Sequence, residues 1–169
     1  MRCWGRAGSA FRICFCWGAL RMAEDESRFF SLTEAERLRA QVEPILVEAM
    51  ESRRKMVELE AQLSALAARI QRSGGLLVSY ESAAKIRLER NGLAESVRSA
   101  VENIQATGCI VKDLDVGLLD FPARINDEEV YFCWRLGEDR IRFYHRQDEG
   151  FSGRKPIDPR DENYHNPIQ

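Results

Sequence analysis

Between residues 112 and 145 the chain places Asp113, Asp115, Asp120, Glu138 and His145, with Arg135, Arg140 and Arg142 among them. Carboxylate oxygens and one imidazole suit a hard or borderline divalent cation such as Mg²⁺, Mn²⁺, Fe²⁺ or Zn²⁺. The expected metal ligands are Asp113, Asp120, Glu138 and His145, and a cation held there would activate water. Lys112, Asp115, Trp134, Arg135 and Arg154 complete the expected polar cluster. Arg154 and Lys155 stand near two glycines, and with Arg135 and Arg142 they offer charge to an anion or small ligand. Other roles compete for the same residues. Asp113 and Asp115 cap turns readily. Glu138 has Arg135 and Arg154 as partners, and a buried Asp–Arg–His network would fix a sheet without any ligand. Phe121, Trp134, Phe143 and Phe151 read as core, and Cys133 lies in an apolar run with no histidine beside it.

Familiar motifs are missing. Asp113-Leu114-Asp115 opens like a calcium-binding loop, but Gly117, Leu118 and Arg124 stand where a ligand, a glycine and the closing glutamate belong. No HExxH, paired CxxC or GxGxxG occurs, so metalloprotease, zinc-finger and dinucleotide readings lack support.

These residues need elements to position them. Ser31-Leu32-Thr33-Glu34 is a capping box, with Phe30 at the staple position. Apolar residues then recur at Leu38, Val42, Ile45, Ala49, Met56, Leu59, Leu63, Leu66 and Ile70, alternating by four and three, with Ser52 on the same seam. That heptad pattern predicts a long, coiled-coil-like helix. Pro44 should kink it, or else end a first helix near Glu43 and open a second. Gly74-Gly75 stops the helix, and a second follows over about 78–107 with Ala83, Ile86, Arg90, Leu93, Val97, Ala100 and Ile104 on its seam. A short glycine link makes the two antiparallel. The hairpin's eleven basic and eleven acidic side chains are interspersed, as on solvated faces.

The texture changes at Gly108. Short extended runs over 109–112, 117–125, 130–136 and 140–145, broken by Asn126-Asp127 and Gly137-Glu138-Asp139, predict an antiparallel sheet of three or four strands. Phe121-Pro122 points to an edge or bulged strand. The expected fold class is α+β. A hairpin over 30–107 carries a small sheet over 108–154, with an extended or disordered tail over 155–169.

The first 29 residues read differently. Residues 1–21 hold Cys3, Cys14 and Cys16, and they carry four arginines but no acid. A basic start and a short apolar run suggest a secretory signal, but Gly18 interrupts the run and no small-x-small cleavage site follows. A non-native start or a disordered extension fits better. Without it Cys109 and Cys133 remain, two isolated thiols that suit a reducing cytoplasm.

Across the 169 residues, 25 basic and 27 acidic side chains leave a net charge of −2, which argues against a general nucleic-acid binder. No window is apolar for long enough to span a membrane. Apolar residues at 44% and charged residues at 31% give an ordinary globular balance.

Three blocks are more specific: KDLDVGLLDFPA at 112–123, CWRLGEDRIRFYH at 133–145 and GFSGRKP at 150–156. They resemble the signature blocks of an uncharacterised bacterial family, domain of unknown function 2203. The likeness runs from about residue 30 to 157, with Tyr144 where the family more often has tryptophan. The resemblance implies an architecture and a set of positions, and no reaction. The functional expectation is a homodimeric interaction or ligand-binding protein, assembled through its helices. The alternative is a small divalent-metal-dependent enzyme of hydrolase or lyase type, using the Asp/Glu/His cluster.

Overall fold

The computed structural model describes residues 28–74 and 80–158. The first 27 residues, the link at 75–79 and the tail from 159 lie outside the described residues, and with them the expectations made for those segments.

Helix α1 spans Leu32–Arg72. Its capping box forms as the sequence requires: the Glu34 amide donates to Ser31 Oγ at 3.3 Å, and the Ser31 amide donates to Glu34 Oε2 at 2.9 Å. The Ser31 amide and hydroxyl hold the Glu34 carboxyl below its ordinary range. Pro44 sits inside α1, which runs through it as one helix rather than two. The chain turns out of α1 at Gly74, at φ +64°. Helix α2, Tyr80–Gln105, packs back against α1, with Arg90 Nη1 reaching Glu60 Oε1 at 3.3 Å.

Five antiparallel strands follow as a simple meander, in the order β1-β2-β3-β4-β5. They are β1 Ile110–Asp113, β2 Leu118–Ile125, β3 Glu128–Arg135, β4 Phe143–Arg146 and β5 Lys155–Pro156. The fifth strand takes up the start of the expected tail, where two residues pair with Phe143 and Tyr144. Asn126 and Asp127 turn β2 into β3 with φ of +49° and +64°. Two successive left-handed residues suit the right-handed twist of a tight hairpin and pair Ile125 with Glu128.

Pro122 lies in the second of five strands, where a missing N–H should be costly. The pairing explains how it is tolerated. β1 covers β2 only as far as Asp120, so Pro122 lies beyond β1's reach. Its carbonyl accepts from the Phe30 amide at 2.7 Å. The expected edge character is thus local to this residue.

Side chains alternate across the strands, so the sheet has two unlike faces. Leu119, Phe121, Ala123 and Ile125 of β2 and Val130, Phe132 and Trp134 of β3 join Phe30, Ala35, Val42, Leu46 and Ile104 in one buried core. Phe30 meets Phe121 edge-on at 6.1 Å. Arg39 of α1 lies over the Trp134 ring at 5.4 Å. Burying each large apolar side chain contributes about 1.5–3 kcal/mol, and this face joins sheet to hairpin. The β3–β4 connection is tied down as well, because the Ile141 amide donates to Glu36 Oε1 at 2.6 Å.

Gly117 shows how closely α1 and the sheet approach. It sits at φ +67°, its carbonyl accepts from the Leu136 amide, and a Cβ there would lie 2.8 Å from Leu136 Cβ and 3.0 Å from Met50 Sδ. Gly117→Ala is therefore expected to destabilise the protein by about 2 kcal/mol or more. Urea denaturation would read this as a lower midpoint. Gly92→Ala, on an exposed helical position with open space around it, is expected to raise the midpoint slightly.

Candidate functional site

The face turned away from the hairpin carries polar groups. Asp120 of β2 pairs directly with Cys133 of β3. Tyr131 of β3 pairs with His145 of β4, which places His145 diagonally next to Cys133 on the same face. Asp120, Cys133 and His145 are 1%, 0% and 2% exposed. One ligand-type atom from each, a carboxylate oxygen, Sγ and a ring nitrogen, lies within 4.8 Å of the other two.

His145 is fixed at both nitrogens. Nδ1 lies 2.7 Å from the Arg146 carbonyl oxygen. A carbonyl only accepts, so Nδ1 carries a proton and donates it. Nε2 then faces Asp120 Oδ2 at 3.1 Å. A neutral ring with its proton on Nδ1 directs a lone pair at the carboxylate. The contact therefore requires a positive particle in between: a second ring proton, a carboxyl proton or a bound cation. Burial pushes the Asp120 carboxyl up, against the opposing pull of His145 and Lys112. Lys112 Nζ stands 3.8 Å from Oδ2 and 5.0 Å over the Tyr131 ring, and Tyr131 leans on His145 at 5.6 Å. Among the described residues Asp120 Oδ1 is buried with no nitrogen or oxygen donor, and the Cys133 thiol adds a further pull that lowers the carboxyl.

Burial, and then the charge of Asp120, pushes the Cys133 thiol up to about 12. Cys109 is likewise raised to about 12. Neither cysteine is an activated nucleophile in this state.

The other expected site residues serve different ends. Asp113 Oδ1 accepts from the amides of Asp115 and Val116 at 2.8 and 3.3 Å, closing the β1–β2 turn. Asp115 pairs with Arg53 of α1, whose Nη2 donates to it at 3.0 Å. Glu138 accepts from Arg154 Nη1 and Nη2 at 2.9 and 2.8 Å and from the Arg135 amide at 2.9 Å. Arg154 also donates to the Cys133 carbonyl at 3.1 Å and lies between the Phe143 and Phe151 rings, at 4.4 and 4.8 Å. Trp134 Nε1 donates to the Glu138 carbonyl at 2.9 Å, Arg135 lies over Phe151, and Arg142 pairs with Asp139. Of the four expected metal ligands, Asp120 and His145 come together, while Asp113 and Glu138 are engaged elsewhere. The third member of the buried group is Cys133, which has no histidine beside it in sequence and meets His145 only across the strands. No signal within β3 marks it, because the register that sets it beside Asp120 and His145 comes from the pairing of three strands.

A cleft of about 590 Å³ opens beside Tyr131 and is lined also by Arg28, Thr107, Cys109 and Gln147. Asp120, Cys133 and His145 do not line it.

The three sequence blocks thus meet in space. The first supplies Lys112 and Asp120, the second Cys133, Glu138 and His145, and the third Arg154. Over residues 28–157 the chain matches the family model of an uncharacterized conserved protein, DUF2203. The chain belongs to the DUF2203 family. The matched span opens just ahead of the α1 cap and ends just past β5, so the DUF2203 unit comprises both hairpin and sheet. No curated protein and no solved structure matches the chain. No helix among the described residues is long and apolar enough to cross a membrane.

The Arg154–Glu138 pair gives a test of this corner of the DUF2203 sheet. Burial pushes Glu138 up, but the Arg154 guanidinium and the Arg135 amide outweigh it and hold the carboxyl below its ordinary value. A depressed carboxylate stabilises the fold above its unfolded pKa, and that contribution is lost as pH falls through the folded pKa. Glu138→Gln is expected to cost about 1–3 kcal/mol at pH 7. The gap to the parent protein should narrow as pH falls below the ordinary glutamate range, measured by urea midpoints across pH. A gap independent of pH would show that the ion pair contributes little.

Proposed function

We propose that this protein is a homodimeric interaction protein, whose helical arm binds a second copy and whose sheet anchors the base of that arm. The observation that carries this reading is the distribution of burial along α1. Its buried residues, Ala35, Val42, Leu46, Ala49 and Ser52, all lie in the first half. Twenty further residues, about 30 Å of helix, continue the heptad seam with none fully buried. Residues 61–68 carry no charge, and Val57, Tyr80 and Leu88 are 52%, 81% and 75% exposed. Two-helix arms of this kind bury their seams by forming a four-helix bundle.

Charge favours an antiparallel arrangement of the two copies. Toward the tip, Arg69, Arg72, Lys85 and Arg87 outnumber Glu81 and Glu89. Nearer the sheet, Glu43, Glu48, Glu51, Glu58 and Glu60 outnumber Arg53, Arg54 and Lys55, and Arg53 is taken up by Asp115. Laying tip against base opposes unlike charges, which sets register more than it adds affinity. The alternative, a small metal-dependent hydrolase or lyase, needs a substrate to reach Asp120 and His145. Their burial, at 1% and 2% exposure, weighs against that chemistry.

Sedimentation equilibrium of the full chain at tens of micromolar is expected to give a dimer. Leu88→Glu should weaken association at least tenfold while leaving the far-ultraviolet spectrum unchanged. A monomer of the parent protein at that concentration, or a dimer indifferent to Leu88→Glu and Val57→Glu, would overturn the proposal.

A further inference from the structure

The same fold contains a second, separate opportunity on the far face of the sheet. We propose that Asp120, Cys133 and His145 form a binding site for a single divalent cation of the zinc class, seated between β2, β3 and β4. This assignment stands apart from the dimer reading, since the site lies wholly within one chain.

The donor set selects the ion. A thiolate, an imidazole and a carboxylate together suit Zn²⁺, Co²⁺ or Fe²⁺, whereas Mg²⁺ and Ca²⁺ require oxygen donors throughout. The spacing is close to what such an ion needs. At usual bond lengths a tetrahedral zinc holds its ligand atoms roughly 3.3–3.6 Å apart. Here His145 Nε2 and Asp120 Oδ2 are 3.1 Å apart, and the three donor atoms all lie within 4.8 Å of one another. Closing the group on an ion therefore takes shifts of about an ångström at one side chain.

Orientation points the same way. The Arg146 carbonyl accepts the Nδ1 proton of His145, the outer hydrogen bond that commonly orients a metal-binding histidine, and leaves the Nε2 lone pair directed into the group. Asp120 Oδ1, in a side chain 1% exposed, accepts from no nitrogen or oxygen donor among the described residues, and the weak pull of the Cys133 thiol is all that the neighbouring sulfur adds to this carboxyl. A cation supplies the positive particle that the Nε2–Oδ2 contact requires. Binding exchanges two protons for the ion: the Cys133 S–H bond breaks, sulfur keeps the electron pair and donates it to the metal, and that proton leaves to solvent together with the one held between His145 Nε2 and Asp120 Oδ2. Three protein ligands leave one tetrahedral position for water. Strand pairing alone brings the donors together, so the ion would pin β2, β3 and β4 across their shared face.

The test uses the full chain with Cys3, Cys14 and Cys16 replaced by serine, which removes thiols outside the described residues. Cobalt(II) titrated into metal-free protein should give visible d–d bands of tetrahedral intensity and a near-ultraviolet thiolate-to-cobalt band. Both should saturate at one equivalent and be displaced by zinc. Cys133→Ser should abolish the thiolate band, and Asp120→Asn and His145→Gln should each weaken binding at least tenfold. Cys109→Ser, on the hairpin face, should leave the spectrum unchanged. Zinc should also raise the melting temperature of the parent chain, a readout that needs no variant to fold. Absence of saturable tetrahedral bands in the parent chain would overturn the site. So would a thiolate band that survives Cys133→Ser, or one lost only with Cys109→Ser.

Discussion

A meander of short strands with one apolar face cannot stand in water, and this constraint organises the molecule. Leu119, Phe121, Phe132 and Trp134 must be covered, and the first half of α1 with the end of α2 covers them. The hairpin gains from the same contact. A helix pair of this length is held only by its own contact, whereas at its base Val42 and Leu46 are sealed in the core shared with the sheet. The two parts are thus stable together, which fits a family match that spans both. The distal arm takes no share in this core, so its seam residues Leu59, Leu63, Leu66 and Ile70 are only half-buried and Val57 and Leu88 are exposed.

The second face of the sheet departs from ordinary patterning. An antiparallel sheet covered on one side normally turns exposed polar residues to water on the other. Here the outward face buries a carboxyl, a thiol and an imidazole side by side. Leaving such groups underpaired costs free energy, of order 1–3 kcal/mol for an unsatisfied buried acceptor. A small fold with little stability to spare retains an arrangement of this kind when it holds something in place, whether a proton or an ion.

Much of the fold was legible because its signals are local. The capping box, the heptad seam, the glycines at the helix ends and the Asn126-Asp127 turn each act within a few residues, and each appears where the sequence placed it. β5 was not legible, since two residues have no periodicity to read and their strand exists only because β4 offers an edge. The path through Pro44 was open between a kinked helix and two helices, and packing against the sheet on either side of it holds one helix together. The site was half legible. Asp120 and His145 stood out as polar residues in apolar runs. Asp113 and Glu138 looked equally apt by type, but short-range partners claim them: turn amides for the first, Arg154 for the second. Cys133 escaped because its neighbours lie on other strands, and cross-strand register is not written in the residues themselves.

The margins of the sheet are unusually small. On one side β1 has four residues and a register shift near Asp113; on the other, β5 has two and one of them is proline. Among the described residues neither border offers a run of free amides and carbonyls long enough to template a foreign strand, so the sheet itself is guarded against edge-to-edge pairing. Backbone pairing at the sheet margins is thereby disfavoured, and side chains of the described helices such as Val57 and Leu88, rather than strand edges, are apolar surface this fold leaves to solvent.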